Sequence, residues 1–102
     1  MSLKIRYLKS RPVGKVTFRL PGEAAPEAAR VHLVGEFNGW DAEATPMERL
    51  RDGSYKAMLD LETGRAYRYR YLIDGRTWEN DWDAHRYAPS SFAGVEDSVV
   101  EV

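Results

Sequence analysis

The 102-residue chain has no cysteine. Disulfides, thiolate metal sites and a cysteine nucleophile are thereby excluded. Histidine is scarce: His32 and His85 stand far apart with no ligand spacing around them, which argues against a metal centre. No apolar run approaches the ~18 residues of a membrane span. The N-terminal Met1 to Arg6 lacks the apolar core of a signal peptide. The expectation is therefore a cytoplasmic protein with no membrane partner. An excess of one charge is missing too, with 15 basic against 16 acidic groups and a net charge of −1. A strongly positive nucleic-acid footprint is absent. The chain contains no phosphate-cradling glycine loop and no Ser-centred nucleophile elbow, so no cofactor is implied.

What is present reads as β-structure in one domain. Lys15–Leu20 alternates, with Val16, Phe18 and Leu20 on one face, and Pro21-Gly22 ends it. Arg30–Phe37 is rich in β-branched and apolar residues and runs into the Asn38-Gly39 turn. Trp40–Leu50 reads as a loop, and Ser54–Leu61 alternates again after Asp52-Gly53. Ala66–Ile73 is the longest clean strand: Tyr67, Tyr69, Tyr71 and Ile73 share one face, Arg68 and Arg70 the other. Asp74-Gly75 signals a tight hairpin with Arg76–Glu79 returning. Asn80–Gly94 reads as irregular, and Ser98–Val102 as a closing strand. About six or seven short strands punctuated by turns predict an all-β, immunoglobulin-like antiparallel β-sandwich. Tyr67, Tyr69, Tyr71 and Ile73 are expected to meet Val16, Phe18, Leu33 and Leu59 in its core.

The near-neutral total conceals an asymmetry. Residues 1–22 carry six basic groups and no acid, leaving nine basic against sixteen acidic groups in the remainder. This suggests an N-terminal basic arm over residues 1–14, packed on or flanking a sandwich domain over 15–102. The arm either lies near its own acidic half or meets an anionic partner. Leu3–Leu8 alternates weakly and reads as an edge strand or a packed arm.

Catalysis finds little support. Glu79, Asp81 and Asp83 lie close enough in sequence for a glycosidase-like pair. A catalytic pair must flank a cleft, however, and acids alternating in a polar loop read as solvated surface. The tryptophans are more informative. Trp40, Trp78 and Trp82 all fall in or beside turns. Each could cap the core. Two at neighbouring hairpin ends could instead form a flat apolar platform for the C–H face of a pyranose, with Arg, Asp or Asn at its rim.

Five motifs in order carry a resemblance: Phe37-Asn38-Gly39-Trp40, Asp52-Gly53-Ser54-Tyr55, Tyr69 through Gly75, Trp78 through Asp81, and Ser98 through Val102. Together they resemble the family 48 carbohydrate-binding modules. These include the glycogen-binding domain of the AMP-activated protein kinase β subunit and the early-set domains of isoamylase and glycogen-branching enzymes. The resemblance runs from about Lys15 to Val102 and implies an early-set immunoglobulin-like sandwich. It also implies non-catalytic binding of α-1,4-linked glucans such as glycogen and malto-oligosaccharides. Trp40 and Trp78 match the positions that stack on glucose. Arg70 matches a lysine that hydrogen-bonds hydroxyls, Asp97 an asparagine that does likewise, and Phe92 a leucine that slots against the sugar. One extra residue, Arg76 or Thr77, precedes Trp78. It could turn that tryptophan to the opposite face or be absorbed by a bulge.

Because the chain ends where a catalytic barrel would begin in the enzymes, a stand-alone module is expected. The alternative is a protein-interaction module docking on a kinase or a glycogen-metabolising enzyme without sugar. An orphan glycosidase-associated domain is the third reading.

Overall fold

Period-2 alternation with turn residues at its breaks gives nine strands, seen in a computed structural model that describes residues 3–90 and 94–102. They are β1 (Leu3–Tyr7), β2 (Val13–Leu20), β3 (Val31–Gly35), β4 (Glu48–Arg49), β5 (Tyr55–Glu62), β6 (Ala66–Ile73), β7 (Thr77–Glu79), β8 (Arg86–Pro89) and β9 (Glu96–Glu101). One sheet runs β1-β2-β5-β4; the other runs β3-β6-β9-β8, with β7 also pairing β6. Every pairing is antiparallel. The predicted sandwich is the observed one, with more strands than the six or seven expected.

The core faces are those that the alternation assigns. Val16, Phe18, Leu33, Tyr67, Tyr69, Tyr71 and Ile73 are buried, and Leu59 packs against them half-buried. Phe18 is the centre of contact between the sheets. Its ring meets Tyr69 edge-on at 5.0 Å and Phe37 at 5.5 Å, arrangements that add to simple area burial.

Three segments differ from their sequence reading. The third strand stops at Gly35, because Glu36–Asn38 coils into a 3-10 turn that swings Phe37 back onto the core. The Trp40–Leu50 loop contains the two-residue β4. The stretch expected to be irregular, Asn80–Gly94, contains β8, paired to β9. Only Ala88 of β8 is buried, so it shows no apolar alternation to read.

The N-terminal basic residues gain a simple account. β1 pairs β2 with Leu3 opposite Phe18 and Ile5 opposite Val16, which places Leu3 and Ile5 against the core. Lys4 and Arg6 therefore point outward beside Lys15 and Thr17. Two of the cations meet acids of the chain's own later half: Lys15 with Asp60 at 3.7 Å and Arg19 with Asp52 at 2.5 Å.

Asp81 corrects the solvated-surface reading. It is 1% exposed. Its Oδ2 accepts hydrogen bonds from Tyr69 at 2.6 Å and Tyr71 at 3.3 Å, and its Oδ1 accepts from the Asp83 amide at 3.0 Å. The Asp81 amide donates to Ser98 Oγ at 2.8 Å, and the Tyr87 hydroxyl donates to its carbonyl. Burial, then the neighbouring Tyr71 and the Asp81 charge, pushes the Tyr69 hydroxyl well above its usual range. Burial and Asp81 do the same to Tyr71. This network joins the loop after β7 to the central strand β6 and to β9.

Candidate functional site

The outer face of the β3-β6-β9-β8 sheet carries the side chains that alternate away from the core: Arg68, Arg70 and Leu72 on β6 and Asp97 on β9. Along one edge β6 pairs first β9 and then β7, with Tyr69 opposite Ser98 and Tyr71 opposite Glu79. Arg70 sits at the junction, between Asp97 and Trp78.

The turn into β7 decides which way Trp78 faces. Asp74 and Gly75 both adopt positive φ, 53° and 71°, and the Arg76 amide donates to the Ile73 carbonyl at 3.1 Å. This is the two-residue hairpin that Asp-Gly favours. Ile73 nevertheless pairs Thr77, and Leu72 pairs Trp78. Arg76 is thus an extra residue taken up by a bulge, and Trp78 emerges opposite outward-facing Leu72. The turn is tied down by Asp74, whose Oδ1 accepts from the Ala29 and Arg30 amides at 2.8 and 3.0 Å. Those bonds, that of Arg30 foremost, hold the Asp74 carboxyl below the ordinary carboxylate range.

Trp40 reaches the same region from the other edge. Asn38 builds its turn. Its Oδ1 accepts from the Gly35 amide at 3.1 Å, and its Nδ2 donates to the Leu33 carbonyl at 2.9 Å and to Thr45 Oγ1 at 3.0 Å. Gly39 takes φ 67°, and Trp40 itself takes φ 58°, an unusual conformation for a bulky side chain. The Trp40 amide donates to the Gly35 carbonyl at 2.8 Å. A strained tryptophan held by this many bonds is characteristic of positions over-determined by their surroundings.

The two tryptophans, Arg70 and Val95 line one open hollow of about 440 Å³. Trp40 is 38% and Trp78 46% exposed. The Arg70 guanidinium lies 5.1 Å from the Trp78 ring centroid, in cation–π contact. Its Nε is 3.0 Å from Asp97 Oδ1, an ionic contact without hydrogen-bond alignment. Asp97 Oδ2 faces Arg68 at 3.4 Å, and Arg68 also donates to the Pro89 carbonyl at 2.7 Å. Asp97 is only 4% exposed, with both carboxylate oxygens directed at arginines.

Of the five residues singled out by sequence, four meet here: Trp40, Arg70 and Trp78 at the surface, and Asp97 beneath them. Phe92 lies outside the described residues. Trp82 is half-exposed but does not line the hollow. Val95, which sequence reasoning passed over, does line it. The available signal was an apolar residue in a polar stretch directly before a strand. Chemically the site offers two indole faces, one guanidinium and an apolar side wall.

Comparison with known proteins identifies the family of the fold. The family model of carbohydrate-binding module 48, the isoamylase N-terminal domain, matches residues 8–90. The chain is also similar to 1,4-alpha-glucan branching enzymes. It is 36% identical to that of Butyrivibrio fibrisolvens over 64 residues, 63% of this chain and 10% of the enzyme. It is 43% identical to one of Xanthomonas campestris over 54 residues, 51% of this chain and 7% of the enzyme. With that of Photobacterium profundum it shares 46% identity over 46 residues, 44% of this chain and 6% of the enzyme. The matched segment spans a tenth or less of each of these enzymes. Since the family match takes in both sheets and both tryptophan-bearing turns, the chain belongs to the carbohydrate-binding module 48 family.

Proposed function

We propose that this protein is a non-catalytic α-glucan-binding module, recognising α-1,4-linked chains of the glycogen or malto-oligosaccharide type on the Trp40–Trp78 platform. The observation that carries the reading is the convergence of two exposed indoles and one guanidinium on a single open hollow. An indole face buries the C–H face of a pyranose, and the guanidinium reaches its hydroxyls. Asp97, being buried, acts on the ligand through Arg70: with Arg68 it fixes the guanidinium beside Trp78, in the place where a bound ring would need it. The similarity to branching enzymes supports an α-glucan over other polysaccharides. A partly buried Trp78 would have favoured a sugar-independent docking module on a kinase or glycogen-metabolising enzyme; its exposure favours the sugar. A cytoplasmic setting belongs to the same proposal.

Calorimetric titration with β-cyclodextrin tests this reading, with circular dichroism to show that each variant is folded. Stacking on an aromatic side chain is worth about 1–3 kcal/mol by alanine substitution, as measured for nucleobases. On that scale Trp40→Ala and Trp78→Ala should each weaken binding by roughly five- to 150-fold. Arg70→Ala should cost less, since a solvent-facing hydrogen bond contributes about 0.5–1.5 kcal/mol. Trp82→Ala should bind like the parent. No binding by the parent at millimolar sugar, or parental binding by both tryptophan variants, refutes the glucan reading.

A further inference from the structure

A second hollow, of about 380 Å³, opens on the same outer face, lined by Arg30, His32, Ala42, Glu43, Leu72 and Gly75. It adjoins the platform. Leu72 is paired on one side with Trp78 and on the other with His32, and it lies two residues beyond Arg70 on the same face of β6, a step of about 7 Å. Ala42 and Glu43 closely follow Trp40, and the Glu43 amide is pinned by Asp41 Oδ1 at 2.9 Å.

The charged groups of this hollow are in place without being used. Arg30 is bound at backbone level in both directions. Its amide donates to Asp74 Oδ1 at 3.0 Å, and its carbonyl accepts from the Asp74 amide at 2.9 Å. Its guanidinium lies over the hairpin turn, where a Cβ at Gly75 would come within 3.2 Å of a terminal nitrogen. Among the described residues neither Arg30 nor Glu43 has an ion-pair partner. His32 Nδ1 is buried without a hydrogen-bond partner, so the ring's polar reach is through Nε2.

These groups select a chemical class. Glu43 would repel a phosphate or carboxylate and Arg30 a metal cation. A donor-only guanidinium, an acceptor-only carboxylate and an imidazole around apolar Leu72 and Ala42 suit a neutral ligand with hydroxyls at its rim and C–H groups on its face. We propose that this hollow is a second sugar subsite, which takes a unit of the same α-glucan chain beyond those stacked on Trp40 and Trp78. Arg30 and Glu43 hydrogen-bond its hydroxyls. The inference rests on the glucan-binding reading and adds to it a direction, along β6 toward the Asp74-Gly75 turn, and a preference for longer chains.

The test compares maltotriose with maltoheptaose on the parent, Arg30→Ala and Glu43→Ala, by calorimetry and amide chemical shifts. Both substitutions remove side chains that make no hydrogen bond or ion pair among the described residues, and circular dichroism of each variant should match the parent. Each variant should bind maltoheptaose roughly two- to tenfold more weakly than the parent, the range of one or two lost hydrogen bonds, and maltotriose equally well. In the parent, the Glu43 and Gly75 amides should shift with maltoheptaose but not with maltotriose. Comparing variants on one sugar cancels the extra binding registers of the longer chain. Parental maltoheptaose affinity in both variants, or shifts confined to the Trp40–Trp78 region with either sugar, overturns the subsite while leaving the platform standing. A parent that binds neither sugar removes the glucan reading, and this inference with it.

Discussion

Replacing Asp81 by alanine is expected to cost about 3–5 kcal/mol of folding stability. The side chain touches no proposed ligand, so the loss is one of fold. Tyr69 and Tyr71 are fully buried, and both hydroxyls converge on Asp81 Oδ2. Without it, two buried donors lose their acceptor, and each unsatisfied group costs about 1–3 kcal/mol. The Asp83 amide loses its partner as well. Asp81→Asn keeps one oxygen and should lose clearly less. Urea denaturation of both variants checks this, and equal, small losses would show that the network is not what holds the loop after β7.

The same tyrosines set an alkaline limit. Their native-state ionisation is pushed above the ordinary value near 10, so above that pH the unfolded chain gives up protons that the native chain keeps. Stability is then full below about pH 10 and falls as pH rises beyond it, by about 1.4 kcal/mol per pH unit for each tyrosine. Denaturation at pH 9 and pH 11 should show the drop, with little change between pH 7 and 9 from this source.

Gly35→Ala is expected to cost about 3 kcal/mol, at the upper end of overpacking effects, and to disturb Trp40 with it. The glycine is not needed for its dihedral, since φ is −169°. The need is for space. An added Cβ would stand 2.5 Å from the Arg68 carbonyl oxygen, 2.8 Å from Tyr69 Cβ and 2.8 Å from the end of the Phe37 ring. Two of these obstacles belong to the central strand β6 and cannot swing away. Relief must come from β3, and Gly35 also binds Asn38 Oδ1 through its amide and the Trp40 amide through its carbonyl. The variant should show a lowered urea midpoint together with altered Trp40 fluorescence. A normal midpoint would mean that β3 can retreat from β6 at little cost.

Much of this was open to reading in the sequence, because alternation is a local signal. Tyr67, Tyr69, Tyr71 and Ile73 declare their common face within eight residues, and Asn38-Gly39 and Asp74-Gly75 declare their turns. The candidate site was readable to the same depth: Trp40 and Trp78 stand beside turns, and Arg70 falls on the open face by counting. What stayed hidden depends on partners far along the chain. The burial of Asp81 is created by tyrosines 10 and 12 residues earlier. Asp97 is occupied by arginines on another strand, which no local pattern of acids and bases announces. β8 is a strand by virtue of hydrogen bonds to β9 rather than by composition. Val95 became visible only when the chain brought it beside Trp78.

The bulge at Arg76 carries a consequence for how such a platform can change over time. Because Leu72 and Trp78 are matched across a pleat, the outward direction of the indole is a matter of odd and even counting. With the same residues and the tight turn but no bulge, Ile73 would pair Arg76, which would set Trp78 opposite Tyr71 and drive the indole toward the core. Removing one residue together with the bulge would leave the tryptophan opposite Leu72, whereas adding one with the bulge kept would place it opposite Tyr71. The direction of the indole therefore depends on the residue count and the bulge together, and less on which residues fill positions 76 and 77. Gain of one residue there, with no further bulge to absorb it, would silence the surface more thoroughly than most exchanges of the residues themselves.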